Sequence, residues 1–464
     1  MITFQTPLTG YPDLEAKIAY GLARIGTEAI GLEKVVIKNC GGYYQVRIDI
    51  DDSDFQLLEN TFDLLCRRLL SDEHIPSMTP GITGRSARRI KTTEKDAFPL
   101  KEYLGCEYAF SNKKTENVCK HSGSSLGNVM GFAASTAYYN KRNGIDIVSI
   151  PQDTRNRNSP KLLRRPTNPR NICKTCGLLS LLGSWYSTFM FSMVDKQVIG
   201  IPIPNREVSG DVLGQVFAYH HLFRKEWFGN PIPEKAIPLV ILARIPSTAY
   251  FLKDFDLLVI VFSGGGNRGY HADAMSITPI KNYVDFIDAS SFNIATIERL
   301  INTGSYELLR ILNELVFYGR KELLGRFARI YVSQDNTKSS NYRTLLYVQT
   351  AYYFLREVAM INPEIIENPA IGSLSRTLRY FVMNKKYGYA DDIRNARKES
   401  RDFEDTIAKM LREGRLRLEQ NEKIHLPSEN EIKEIFRLAY DRFEEVKTAL
   451  TILAFSFPSG IEQN

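Results

Sequence analysis

Apolar residues at Leu14, Ile18, Leu22, Ile25 and Ala29 recur at helical spacing, which predicts a helix over residues 13–30. Two alternating runs follow, 35–38 and 43–48, on either side of Asn39-Cys40-Gly41-Gly42. That is the pattern of a β-hairpin with a glycine-bearing turn. Helical spacing returns over 54–70, and 72–100 reads as a basic loop. The continuous apolar runs 237–245 and 257–262 are short enough to be buried strands. From about residue 290 the pattern is helical: 294–318, 342–360, 371–383, 400–419 and 428–455. The last of these starts with Pro427 and Ser428, and Glu431 stands three residues after the serine, a capping box. Consecutive amphipathic helices with short links predict a bundle. The expected fold class is α+β, an N-terminal mixed α/β region followed by a C-terminal helical bundle.

Composition places the chain among ordinary soluble proteins, with 464 residues, 43% hydrophobic and 24% charged. That length suggests two or three domains. Residues 1–12 have no apolar core of a secretory leader, so none is expected. The uncharged run 177–194 contains Ser180, Ser184, Ser187, Thr188 and Ser192, too polar to span a membrane. It reads as a buried helix. Six cysteines without export signals fit the reducing cytoplasm.

Cys173-Lys174-Thr175-Cys176-Gly177 is the only CxxC. Two thiolates at this spacing on a tight turn can bind one metal ion, with the glycine letting the backbone fold back beneath it. Upstream, Cys119 and His121 supply a second half-site, with Cys106 as an alternative to His121. Cys119, His121, Cys173 and Cys176 form a set of soft ligands suited to a structural zinc, stapling the base of a long excursion. The other reading is buried or free cysteines and a surface histidine. Cys40 and Cys66 read as packing residues. The organisation expected is an α+β region over 1–104 with the hairpin and basic loop. A zinc knuckle with an Arg-rich insert over 105–195 follows, then a strand-containing segment over 196–290 and the bundle over 291–464.

The net charge of +7 matters through its distribution. Arg155, Arg157, Lys161, Arg164, Arg165 and Arg170 form a run with no acidic residue, interleaved with Asn156, Asn158 and Asn168. Arg85, Arg88, Arg89, Lys91 and Lys95 form a second, against Glu94. Arginine's planar fork suits phosphate oxygens, and asparagine amides reach phosphates or base edges. Two basic runs flanking one metal knuckle point to a nucleic-acid groove, against the plainer reading of solvated loops.

Three motifs resemble catalytic signatures and fall short. Gly264-Gly265-Gly266-Asn267-Arg268-Gly269 matches a dinucleotide fingerprint, but no helix start follows and Pro279 interrupts. Tyr389-Ala390-Asp391-Asp392 resembles a polymerase metal motif in helical surroundings, with Arg394 and Arg397 placed to pair with the aspartates. His220-His221 and His271-x-Asp273 are fragments of nuclease patterns without the rest of a site. No active site is expected, and the chain is read as a non-enzyme.

The stretch Ile371-Gly372-Ser373-Leu374-Ser375-Arg376-Thr377-Leu378-Arg379-Tyr380-Phe381 leads through Tyr387-Gly388-Tyr389 to Asp392-Ile393-Arg394-Asn395-Ala396-Arg397. With the cysteine knuckle upstream, it resembles the large subunit of archaeal type I CRISPR surveillance (Cascade) complexes, of subtype A or the related subtype B. Many relatives carry two CxxC pairs, where this chain has one plus Cys119-x-His121. The resemblance implies a cytoplasmic, non-catalytic subunit bound to guide RNA and target DNA. It would assemble with backbone and small subunits, away from membranes. It would read the short target-adjacent motif, aid strand opening, hold the displaced strand and dock a helicase-nuclease. Arg376, Arg379, Arg394 and Arg397 would then hold single-stranded DNA, the first two sharing a helix face. The rival readings are a zinc-bearing nuclease or RNA-modifying enzyme, and a structural adaptor in a ribonucleoprotein.

Overall fold

The computed structural model describes residues 1–7, 11–71, 100, 174–193, 196–219, 226–228, 232–264, 270–333 and 345–457. The chain is mixed α/β, with small sheets in its N-terminal part and helices C-terminally. It divides into two compact units, Met1–Val284 and Asp285–Asn464.

In the N-terminal unit, β1 (Ile2–Gln5) is followed by α1 (Pro12–Ile30), with Pro12 pre-set for the first turn. The hairpin forms as its pattern requires. β2 (Val35–Asn39) and β3 (Tyr44–Ile48) pair antiparallel with Val35 opposite Ile48 and Asn39 opposite Tyr44. Val35, Ile37, Val46 and Ile48 are buried, the period-two signature of a sheet with one covered face. The turn needs its glycines, because Gly41 adopts a φ of 77° and Gly42 of 136°. α2 (Phe55–Ser71) follows, and later α3 (Lys174–Ser187), β4 (Phe189–Met193), β5 (Lys196–Pro204) and β6 (Val208–Ser209). β6 completes a four-stranded sheet in the order β1-β3-β2-β6.

α4 (Gly210–Tyr219) and β7 (Glu226–Phe228) lead to α5 (Ile237–Arg244) and α6 (Pro246–Phe251), then to β8 (Phe255–Gly264) and β9 (Tyr270–Pro279). The second sheet has the order β7-β4-β5-β8-β9, with β5, β8 and β9 antiparallel to their neighbours and β4 parallel to β7. The run expected as a strand over 237–245 is helix α5. Every residue from Ile237 to Ala243 is buried, so the run is apolar all round and carries no periodicity to separate helix from strand. Pro238 sits in the first turn, where its missing N–H costs nothing, whereas a central strand would lose a ladder bond there. The run over 177–194 is mostly α3, 14 residues long, then turns into β4. No helix among the described residues is long and apolar enough to cross a membrane.

α7 (Ile280–Ala289) leads into the helical unit. The single helix expected over 294–318 is two, α8 (Phe292–Asn302) and α9 (Tyr306–Tyr318). Gly304, at a φ of 65°, lets the Ser305 N–H turn back to the Leu300 carbonyl at 2.9 Å, ending α8. α10 (Leu324–Ser333) and α11 (Val348–Tyr353) follow, α11 continuing into a π-turn over Phe354–Val358. Phe286, Phe327 and Phe354 pack ring against ring at the centre. Then come α12 (Pro363–Ile366), α13 (Pro369–Met383), α14 (Gly388–Asn395), α15 (Asp402–Glu419) and α16 (Glu429–Ala454). Asn368 caps α13 by accepting from the Ala370 N–H at 2.9 Å, with Pro369 at the first helical position. Both halves of the Ser428–Glu431 capping box form at the start of α16.

Candidate nucleic-acid interface

α13 presents Asn368, Gly372, Ser375, Arg376 and Arg379 along one face, the i, i+4, i+7, i+8, i+11 progression of a helix. This face lines a cavity of about 250 Å³, closed by Tyr352 of α11, Leu453 of α16 and Phe457 beyond it. Arg379 Nη2 donates to the Leu453 carbonyl at 2.7 Å, while its Nε is buried without a hydrogen-bond partner. Burial lowers the Arg379 pKa to about 10, and repulsion from the neighbouring Arg376 pushes the same way. Arg376 is exposed. Among the described residues no carboxylate forms an ion pair with either arginine. Ser375 is 1% exposed and its hydroxyl has no partner. A Cβ built on Gly372 would meet nothing within 4 Å, so the missing side chain leaves this wall of the cavity open.

Two carboxylates border the same cavity, and both are engaged elsewhere. Glu367 pairs with Arg356. Glu431 accepts from the Ser428 N–H at 2.7 Å, and that bond is the main cause of its lowered pKa. Sequence reasoning placed Arg376 and Arg379 on a common face. It missed Ser375, Gly372 and Tyr352, although the Gly372-x-x-Ser375-Arg376-x-x-Arg379 spacing carries the signal for the first two.

Arg394 and Arg397 do not line this cavity. Arg394 is held at 3.2 Å by Asp391, and its stem packs where a Cβ on Gly325 would come within 2.7 Å of Arg394 Cδ. Arg397 is exposed. Beside them, a cavity of about 270 Å³ between α14 and α15 is lined by Asp392, Asp402 and Asp405, which repel a phosphate strand.

Cys176 is the only predicted metal ligand among the described residues. It lies in the first turn of α3 with no solvent exposure, so the predicted turn at Cys-Lys-Thr-Cys-Gly is the start of a helix from Lys174. Among the described residues no group of His, Cys, Asp and Glu gathers to hold a metal. Cys106, Cys119, His121 and Cys173 lie outside them, as do Arg85, Arg88, Arg89, Lys91, Arg155, Arg157, Lys161, Arg164, Arg165 and Arg170.

Of the motifs that resemble catalytic signatures, His220 and His221 lie outside the described residues, and the glycine and Tyr-Ala-Asp-Asp motifs fall in ordinary structural surroundings. Gly264 ends β8 and Tyr270 begins β9, which pairs antiparallel with it. The glycine stretch thus connects two hairpin strands, where a dinucleotide fold needs a strand-to-helix turn. Tyr389 to Asp392 lie in α14, and no hairpin is present at this motif. Asp391 accepts from Arg329 Nε at 3.3 Å, and the Tyr389 hydroxyl donates to Glu413 at 2.6 Å. No family model and no curated protein matches this chain.

Proposed function

We propose that this chain is a non-catalytic, nucleic-acid-binding large subunit of a type I CRISPR surveillance complex. One observation supports this reading above the others. The entire positive excess of the chain falls between residues 72 and 173, while residues 285–464 carry equal numbers of acidic and basic side chains. The described scaffold also commits many of its cations internally. Arg326 pairs with Glu307, Arg329 with Asp391, Lys386 with Glu413 and Arg417 with Glu422. A balanced scaffold carrying one basic stretch, with two arginine-rich runs inside it, suits a protein that grips a polyanion through that stretch.

On this reading Arg85, Arg88, Arg89 and Lys91, with the run from Arg155 to Arg170, track phosphates of guide RNA and target DNA. Base pairing with the guide reads the sequence, and the protein reads the short adjacent motif and stabilises the opened duplex. Zinc bound by Cys119, His121 or Cys106, Cys173 and Cys176 would pin the base of the stretch. Backbone and small subunits and a helicase-nuclease are the partners. The test is purification from the native host together with a salt series on DNA binding. Recovery of a short guide RNA with several smaller subunits supports the assignment. Replacing Arg164 and Arg165 with alanine should flatten the salt slope by about one unit for each phosphate no longer neutralised. Protein recovered without RNA, and indifferent to DNA and RNA at low salt, ends it.

A further inference from the structure

We propose that the cavity along α13 binds a phosphomonoester dianion, its phosphate seated on Arg376, Arg379 and Ser375. This site is independent of membership in a surveillance complex. The cavity lies outside the charged stretch, and its own chemistry identifies the ligand.

Burying a guanidinium without a counter-charge is unfavourable, and placing a second one beside it compounds the cost. Arg379 is in this position, with one amino group bonded to the Leu453 carbonyl and its Nε unpartnered. Ser375 lines the same cavity, and its hydroxyl is buried without a partner. A buried hydroxyl in a helix commonly returns to the carbonyl one turn back, yet this one has no partner. Arg379 Nε and the Ser375 hydroxyl lack acceptors, and Arg376 adds a second guanidinium beside them, so the space calls for a ligand that brings acceptor oxygens. Two arginines without ion-pair partners among the described residues, at one end of the cavity, favour a phosphomonoester over the singly charged phosphodiester of a strand interior.

The size agrees. About 250 Å³ lies below the roughly 300–1,000 Å³ of pockets for drug-sized ligands, so a phosphate with at most a nucleotide's remainder fits. Glu367, Glu431 and Asn368 occupy the end nearer the α13 N-terminus, and Tyr352 and Phe457 supply aromatic walls. Carboxylates there disfavour a second phosphate and accept hydrogen bonds from hydroxyls. The ligand is therefore a monophosphate carrying a hydroxylated or aromatic part. It can be a free small molecule or the phosphorylated 5′ end of a strand.

The test is calorimetric titration of the full-length chain with inorganic phosphate, a nucleoside 5′-monophosphate, and one oligonucleotide with either a 5′-phosphate or a 5′-hydroxyl. Arg376→Gln removes an exposed charge, and Gly372→Leu puts a bulky side chain on the open wall, where its Cβ meets no neighbour. Circular dichroism melts verify that both variants fold. Saturable binding of inorganic phosphate or the monophosphate, weakened about tenfold or more by Arg376→Gln and lost in Gly372→Leu, supports the site. Preference for the 5′-phosphorylated over the 5′-hydroxyl strand assigns the ligand to a strand end. A monophosphate that binds while the two strands are indistinguishable assigns it to a small molecule. If no phosphate compound binds, or both folded variants bind as well as the parent, the proposal is overturned.

Discussion

A Cβ atom on Gly183 would stand 1.8 Å from the carbonyl oxygen of Lys17. The relationship is reciprocal, because a Cβ on Gly21 would lie 2.2 Å from the Leu179 carbonyl oxygen. α1 and α3 thus touch backbone to backbone, and each contact exists because glycine occupies it. Gly183→Ala must push the helices apart, with a cost of about 1–3 kcal/mol or more. Gly372→Ala is the control, since its Cβ enters open space, and it should stabilise by about 0.5–1 kcal/mol through helix propensity. Denaturant midpoints that move in opposite directions verify the pair. Equal midpoints would mean that α1 and α3 cross with room to spare.

Asp391 is a structural carboxylate. It is shared by Arg329 Nε at 3.3 Å and Arg394 Nη2 at 3.2 Å, and Arg329 also lies over the Tyr387 ring at 3.6 Å. All of these groups are partly solvated, so Asp391→Asn should cost only about 0.2–1 kcal/mol for each ion pair it breaks. On the non-catalytic reading, labelled DNA or RNA stays intact with the purified parent protein and magnesium. Cleavage by the parent that disappears in Asp391→Asn would instead favour a nuclease.

Some of this was legible in the sequence for identifiable reasons. The capping box at Ser428 and Glu431 spans four residues, so local chemistry alone specifies it, and both of its bonds form. The hairpin over 35–48 was equally local, a glycine turn between alternating runs. The α13 cavity was not legible, because it depends on Tyr352, Ser375, Arg379 and Leu453 being packed together from three helices. The ion pair of Arg329 with Asp391 joins residues 62 apart. α5 failed for a different reason. Its seven consecutive buried residues erase the periodicity that sequence reasoning reads.

His425, although exposed, is expected to give the helical unit a modest sensitivity to mild acid. Its Nε2 lies 2.7 Å from the Ser373 hydroxyl, and its carbonyl accepts from Thr377 Oγ1 at 2.7 Å. Desolvation lowers its pKa below the usual 6.5, and Arg376 adds repulsion that Glu431 partly offsets. Between the lowered folded value and 6.5 the unfolded chain binds more protons than the folded one, so stability rises with pH across that window. This group's contribution is complete above 6.5 and is lost as pH falls through the window. His425→Gln should flatten that segment of the stability profile. An unchanged slope in the variant would remove His425 as its source.

Cys176 decides between two accounts of the segment that α3 anchors. The thiol sits in the first turn of the helix and is wholly buried. With zinc bound, one metal per chain should appear by atomic emission, and Cys176→Ala should lower both metal content and melting temperature. A chelator should reproduce the loss in the parent protein, since metal binding and folding are coupled in such sites. Without zinc, Cys176→Ala only trims a small buried side chain and costs roughly 1 kcal/mol, with chelator inert. Metal-free protein with a full cooperative transition would leave Cys176 as a packing residue between α3 and its neighbours.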